Sequence, residues 1–574
     1  MNIIADLPKE QPPLWIQELL ADSPEAEQAL WAWVSELHYR QVVAQAGSAH
    51  ELVAIKQRFD WTAVERVCQT YRLYDGKQGV EATHTVQHLY LGVVLKAYHN
   101  WSYDTTARKV RCDVLLRWFV GYRLNETTFA PVTLWRFESW LRQNHPNLFF
   151  TTTLQQIDED FPEERTAPQI GDTFALLSRA HEQSRTQLLR TTALRLLDAL
   201  KQVAPSHHQQ VEASLPRDAL FGAAGDKPEW LLDKPARDAL EERTAVAAHH
   251  LLRLVQAVHS TLPCSRNLLY LALTRWVNLL HKVLSDEFIL TLDAQSACLQ
   301  AALRSKHEKG AYAIGSAIDP EATFRLHGDR CELGYNVNLS ATTHFIRSVV
   351  TATGATPDSK LVAPSIAVQL AELGLAPPKL IYDRAAGSPK TYADVDKASN
   401  GQTQLVARLI DHARSNPLFG PQDCTLGEDG VLTCPAGKST ARAYRSQSGS
   451  GWNYRFMPDQ CQDCPMAALC RKAESKPNSP RNFYISDYIY YQRKALAYLR
   501  TDAFQQDMRI RPAIERIIAC LVRYHGARHA AGYGLANADY QAHMAAMTFN
   551  LKSWARLTHE RRKPKRKRAD PDSS

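Results

Sequence analysis

A chain of 574 residues is too long for one compact core, so roughly two to four domains are expected. With 45% hydrophobic and 22% charged residues it is neither a disordered nor a fibrous chain, and it has no apolar run of eighteen residues to span a membrane. The net charge of +8, concentrated in the last residues, suits a nucleic-acid partner. The opening MNIIADLPKEQPP lacks a basic-then-apolar signal pattern, so a cytoplasmic location is expected. Eleven cysteines in such a compartment argue against a disulfide framework.

Residues 1–60 repeat apolar residues at helical spacing and show no chemistry. Residues 61–150 predict a helical domain with two amphipathic helices, near 103–122 and 131–144, joined by a polar turn. Arg108, Lys109, Arg111, Arg117, Arg123, Arg136 and Arg142 stud it, while Leu115, Leu116, Trp118, Phe119, Leu134, Phe137, Trp140 and Leu141 would fill the core. A helix-turn-helix DNA reader fits this pattern. So does any basic helical pair with solvated arginines, which the pattern alone favours.

Residues 169–177 read as a strand carrying Asp172, followed by a helix over 178–201. Residues 202–310 are almost wholly helical in pattern and read as a helical insertion. In 333–340, Leu333, Tyr335, Val337 and Leu339 alternate with Gly334, Asn336, Asn338 and Ser340, the period of a half-buried strand. A polar turn and a β-branched run after it predict a hairpin. Pro377 and Pro378 stop a helix, and 379–382 read as a short buried strand ending on Asp383. That carboxylate either caps the next turn or stands where α/β enzymes place their chemistry.

Residues 401–415 read as helical. Cys434, Cys461, Cys464 and Cys470 then form C-P-x-G followed by C-x2-C-x5-C, with Cys424 a fifth candidate. Four thiolates on short loops suit a closed, structural Zn2+ site; an iron–sulfur cluster and unligated thiols are the alternatives. Residues 510–525 predict an amphipathic helix in which Arg511 and Glu515 share a face, an ion pair worth about 0.3–0.5 kcal/mol. A helix over 538–553 leads to a disordered basic tail, 557–574, carrying Arg561, Arg562, Lys563, Lys565, Arg566, Lys567 and Arg568. Such a tail can clamp phosphates without reading sequence, or simply be solvated.

Seven segments carry a family likeness: RLYDGKQG, SYDTTARKVRCDVLLRWFVGY, IGDTFALLSRA, DPEATFRLHGDRCELGYNV, LIYDRAAG, CP…CQDCPMAALC and RPAIERIIACLVRYHG…GLANADYQAHMAAMTFNLK. In order and spacing the chain resembles bacterial insertion-sequence transposases of the DDE type, in the group with a cysteine-bearing insertion before the last catalytic helix. The resemblance implies an α/β ribonuclease-H-like core with a mixed sheet, formed by 165–201, 311–415 and 476–556. An all-α N-terminal domain, the helical insertion 202–310 and a zinc-binding insertion 416–475 would accompany it. It implies Asp172, Asp383 and Glu515 as the catalytic acids, holding two Mg2+ or Mn2+ ions for in-line displacement at phosphorus. It further implies cleavage of terminal inverted repeats, transfer of the freed 3′-hydroxyls to target DNA, a homodimer on DNA and association with the nucleoid. Arg511 and Arg523 would contact DNA.

The family's signature has a tyrosine where Met508 stands and a basic residue where Val522 stands, with Arg523 one position on. A catalytically inactive DNA-binding descendant, or a ribonuclease-H-like nuclease without strand transfer, are the alternatives. Asp319 and Asp329 are alternative acids ranked below Asp172 because neither follows a buried strand; Asp394, Asp396 and Asp507 are weaker still.

Overall fold

The strand expected at Asp172 is the middle of the sheet. In the computed structural model, which describes residues 24–71, 84–263, 267–293, 298–305, 307–310, 312–410, 418–472 and 479–562, β1 (Gln169–Leu177) lies within a six-stranded mixed sheet. β5 (Arg330–Ala341) runs antiparallel along one side of β1, with Asp172 opposite Leu339. β7 (Lys379–Ile381) runs parallel along the other, with Ile170 opposite Ile381. β4 (Thr323–His327) pairs with the first part of β5 and β6 (Ile346–Thr353) with the second. β8 (Gln404–Val406) completes the sheet beside β7, also parallel. A strand here corrects the helical expectation for 401–410; a three-residue run is too short to show a period. Residues 411–417 lie outside the described residues.

The half-buried reading of β5 is also corrected, because both faces are covered. Tyr335, Val337 and Leu339 join Ile170, Phe174 and Leu176 in the main core, while Asn336, Asn338 and Ser340 are at most 1% exposed on the other face. Helix α12 (Ser359–Leu373) closes that polar face. Ser340 Oγ and Gln369 Nε2 both donate to Gln169 Oε1, at 2.9 and 3.0 Å, and Asn338 Nδ2 donates to the carbonyl of Leu361 at 3.2 Å. Gln169, Ser340 and Gln369, which would be costly to bury alone, satisfy one another.

Before the sheet come helices α1 (Pro24–Ala46), α2 (Glu51–Arg58), α3 (Thr62–Cys68), α4 (Val86–His99), α5 (Tyr103–Cys112), α6 (Val114–Val120), α7 (Pro131–Asn144) and α8 (Leu148–Asp160). The single helix expected over 103–122 is broken at Asp113. This residue leaves helical geometry (φ −110°, ψ 122°) and its carboxylate accepts the Leu116 N–H at 3.1 Å, a cap that starts α6. These helices share the main core with the sheet and with the last helix.

After β1 the chain turns through 178–184 before α9 (Arg185–Val203), which starts later than expected because Ser184 caps it together with Gln187. α9, α10 (Lys234–Thr261) and α11 (Leu268–Glu287) enclose a separate core with the hairpin β2 (Phe288–Leu292) and β3 (Leu299–Leu303). α13 (Pro389–Ala398) follows β7, and two small antiparallel sheets with a core of their own follow β8. The chain ends with α14 (Ile489–Leu499), α15 (Asp502–Ile510), α16 (Pro512–Tyr524) and α17 (Leu535–Arg562). α17 continues through 557–562, where a disordered tail was expected, and its end is tied down. Arg561 donates to the Asp160 carbonyl at 2.9 Å and pairs with Glu163. Lys563, Lys565, Arg566, Lys567 and Arg568 lie outside the described residues.

Candidate active site

Asp172 points from β1 toward α16. Its Oδ1 accepts the Thr173 N–H at 2.8 Å and its Oδ2 accepts Arg511 Nη2 at 3.0 Å. Burial pushes its pKa up to about 6; the Thr173 N–H and Arg511 oppose the rise, while the carboxylates of Asp383 and Asp358 add to it. Asp383 therefore lies close enough to Asp172 for their charges to interact. It stands two residues beyond the end of β7, and its Oδ1 accepts the Ala385 N–H at 2.8 Å, so it does cap the next turn. Capping uses one carboxylate oxygen and leaves the other free for different work.

The residue before Asp383 is fixed with unusual firmness. Tyr382 is 1% exposed and its hydroxyl donates to Asn338 on β5. Its ring lies over Gly171, where a Cβ would come within 2.0 Å of Cε2. Glycine beside Asp172 thus admits the side chain that anchors Asp383. Glu515 enters from the first turn of α16, and Arg511 Nη1 donates to its Oε1 at 2.8 Å. Arg511 joins Glu515 to Asp172, a link that the helix-face reading of a solvated pair did not contain.

Asp319 is fully buried and accepts from Ser178 Oγ and the Tyr335 hydroxyl, both at 2.6 Å, and from the Gly534 N–H at 3.0 Å. It clasps the end of β1, β5 and the approach to α17. Asp507 is held by Lys379 and Tyr498, Asp394 by Lys390, and Asp396 by the Tyr491 hydroxyl. Asp329 is exposed in the turn between β4 and β5. Asp358, which sequence reasoning missed, accepts Asn336 Nδ2 at 2.7 Å and lies 3.8 Å from Arg325. As the residue before a helix it resembles an ordinary cap, and nothing local signals its influence on Asp172.

Among the expected DNA contacts, Arg108, Lys109, Arg111, Arg136, Arg523 and Arg562 are exposed. Arg117 is not. It is 8% exposed, and its guanidinium donates to the carbonyls of Arg123 (2.9 Å) and Glu126, pinning the loop before α7. Its expected contact with DNA is corrected by that burial. Met508 and Val522 are partly buried against the main core.

Cys434, Cys461, Cys464 and Cys470 are free thiols lining one small cavity, beside Arg481 and Phe456. Cys424 is buried nearby, with its thiol pushed up to about 12 chiefly by burial. Among the described residues, no three His, Cys, Asp or Glu side chains are gathered as a ready-made metal site, at the cysteines or at the acids.

Residues 433–555 match the family model described as Transposase DDE domain, and residues 41–140 match the Transposase domain (DUF772). Both matched stretches resemble transposase domains, and together they support a DDE transposase. The DDE match spans Glu515 and the four cysteines, whereas Asp172 and Asp383 fall outside it. No curated protein and no solved structure matches. The DDE domain implies a ribonuclease-H-like core, and the mixed sheet agrees with one. Transposases of this family act on DNA and generally use a divalent metal such as Mg2+. Among the described residues no helix is long and apolar enough to cross a membrane.

Proposed function

We propose that this transposase cleaves DNA at the ends of an insertion sequence and joins the freed 3′-hydroxyls to target DNA, with Asp172, Asp383 and Glu515 as its acids. The observation that carries this reading is the convergence on Asp172: Arg511 links it to Glu515, and Asp383 leaves the adjacent parallel strand. The donor set is carboxylate oxygen, which fits Mg2+ or Mn2+ and disfavours soft ions. Asp172, Asp383 and Glu515 would hold two such ions. When bound, they would lower the pKa of the attacking hydroxyl and stabilise the leaving 3′-oxygen.

The chain's own residues would supply placement. β1 and the end of β7 would hold two of the carboxylates on rigid backbone, and α16 would bring the third to them. Arg108, Lys109, Arg111, Arg136 and Arg523 would meet phosphates, giving affinity that falls steeply with salt. Two ends must be paired before transfer, so a homodimer on DNA is part of the proposal. The test is a labelled donor end incubated with target DNA in Mg2+. Joined product is expected, and Asp383→Asn should abolish joining while sparing binding; joining at full rate in that variant refutes the assignment.

Met508 and Val522 favour a second reading, because they replace a tyrosine and a basic residue of the family's signature. A DNA-binding descendant would bind the same DNA without cutting it, and a nuclease would cut without joining. We further infer that Cys434, Cys461, Cys464 and Cys470 hold a structural Zn2+, supported by their shared cavity. Cys461→Ser should then lose the metal, measured by atomic absorption, and loosen 420–475 to protease. A folded wild type free of zinc refutes that inference.

A further inference from the structure

Arg511 sits where α15 gives way to α16, and its backbone is helical (φ −51°, ψ −41°) although Pro512 comes next in the chain and disfavours that geometry. Its side chain is 21% exposed and that of Asp172 20%, so neither charge is freely hydrated. One guanidinium edge faces Asp172 Oδ2 at 3.0 Å and the other faces Glu515 Oε1 at 2.8 Å. Nε is buried and has no hydrogen-bond partner. A planar cation thus spans two carboxylates, one of them 339 residues away from it in sequence and the other four, at some cost to its own satisfaction.

From this geometry we propose that Arg511 is a resident counter-ion that competes with divalent metal for Asp172 and Glu515 and gives way when DNA arrives. The proposal rests on the reading of those two acids as metal ligands. A guanidinium and a divalent ion neutralise the same carboxylate oxygens, so each weakens the other's hold. Glu515 is 60% exposed, which leaves one end of the bridge open to water and to a polyanion. Arginine pairs well with phosphate, and a nearby DNA backbone would draw the guanidinium away from the acids. Metal affinity and DNA affinity would then be positively coupled, by the same factor in each direction. Without DNA the site would stay filled by the chain's own cation, which protects against metal-dependent cutting in the wrong place.

The experiment is Mn2+ titration of the full-length protein, followed by the electron paramagnetic resonance of free Mn2+, with and without a 30-base-pair duplex. Wild type should bind Mn2+ weakly alone and roughly five-fold or more tightly with the duplex, within the usual range of coupling between sites. Arg511→Gln should bind Mn2+ tightly without the duplex and gain little from it. Arg511→Lys, which keeps the charge but not the two-edged reach, should fall between them. Arg511→Gln and Arg511→Lys both matching wild type without DNA would overturn the proposal, as would a wild type whose Mn2+ affinity ignores the duplex. Glu515→Gln tests the underlying reading separately: unchanged Mn2+ binding there would remove Glu515 as a ligand, and the competition with it.

Discussion

The ring of Tyr382 occupies the space that a side chain at Gly171 would fill, with a clearance of 2.0 Å from an added Cβ to Cε2. This contact couples the residue before Asp172 to the residue before Asp383. Gly171→Ala must push the ring off β1, and overpacking of this kind costs about 1–3 kcal/mol. Strand transfer should fall at least ten-fold while DNA binding persists, measured by joining and by fluorescence anisotropy. Normal joining by a stable Gly171→Ala protein would show that the Tyr382 contact does not position Asp383.

Asp172 gives a pH dependence with a definite sign. Its pKa in the folded chain is about 6 against an ordinary 3.8, so the folded state holds the proton more tightly than the unfolded one. The stability this group contributes is full below pH 3.8 and is lost as pH rises through about 6. Above that, the ionised carboxylate costs the metal-free fold at most about 2–3 kcal/mol. Asp172→Asn should therefore raise the urea midpoint at pH 8 in the presence of EDTA, and the gain should shrink toward pH 4. A midpoint lowered at pH 8 would mean that the pair with Arg511 outweighs the burial.

The elements around this site were legible to different depths. β1 and β7 announce themselves as apolar runs with an acid in or after them, and the helix of Glu515 has a clear 3.6-residue period. What the sequence hides is whatever depends on a partner far along the chain. The Asn and Ser face of β5 looks like a solvent face until α12 closes over it, because alternation reports a contrast between two faces and not which of them is dry. Arg511 shows a partner four residues on, but its bond to Asp172 crosses most of the chain and has no local mark. β8 is no shorter than β7, but Gln404–Val406 has neither the proline pair before it nor the acid after it that mark β7 in the sequence.

Asp319 separates a buried structural acid from a metal ligand. It accepts three hydrogen bonds and is fully buried, so Asp319→Asn turns an acceptor toward donors and should cost about 3 kcal/mol. Denaturant unfolding should show this loss, and whatever protein remains folded should still bind Mn2+. A variant with wild-type stability and no joining would instead make Asp319 one of the acids.

Arg117 and its neighbours should part company in the same assay. The guanidinium of Arg117 satisfies two carbonyls of the loop before α7 and has no open path to a phosphate. Arg117→Ala leaves those carbonyls unpaired and should cost about 2–3 kcal/mol of stability. Any DNA binding it loses should return when the fold is stabilised, for example by lower temperature. Arg108→Ala and Arg111→Ala remove exposed charges and should leave the urea midpoint within about 0.5 kcal/mol of wild type. Each should lower the slope of log affinity against log salt by about 0.9 if its side chain neutralises one phosphate. The decisive comparison is between slopes, because unfolding lowers affinity at every salt concentration while loss of a phosphate contact changes the slope itself. A reduced slope in Arg117→Ala with an unchanged midpoint would place that residue on the DNA after all.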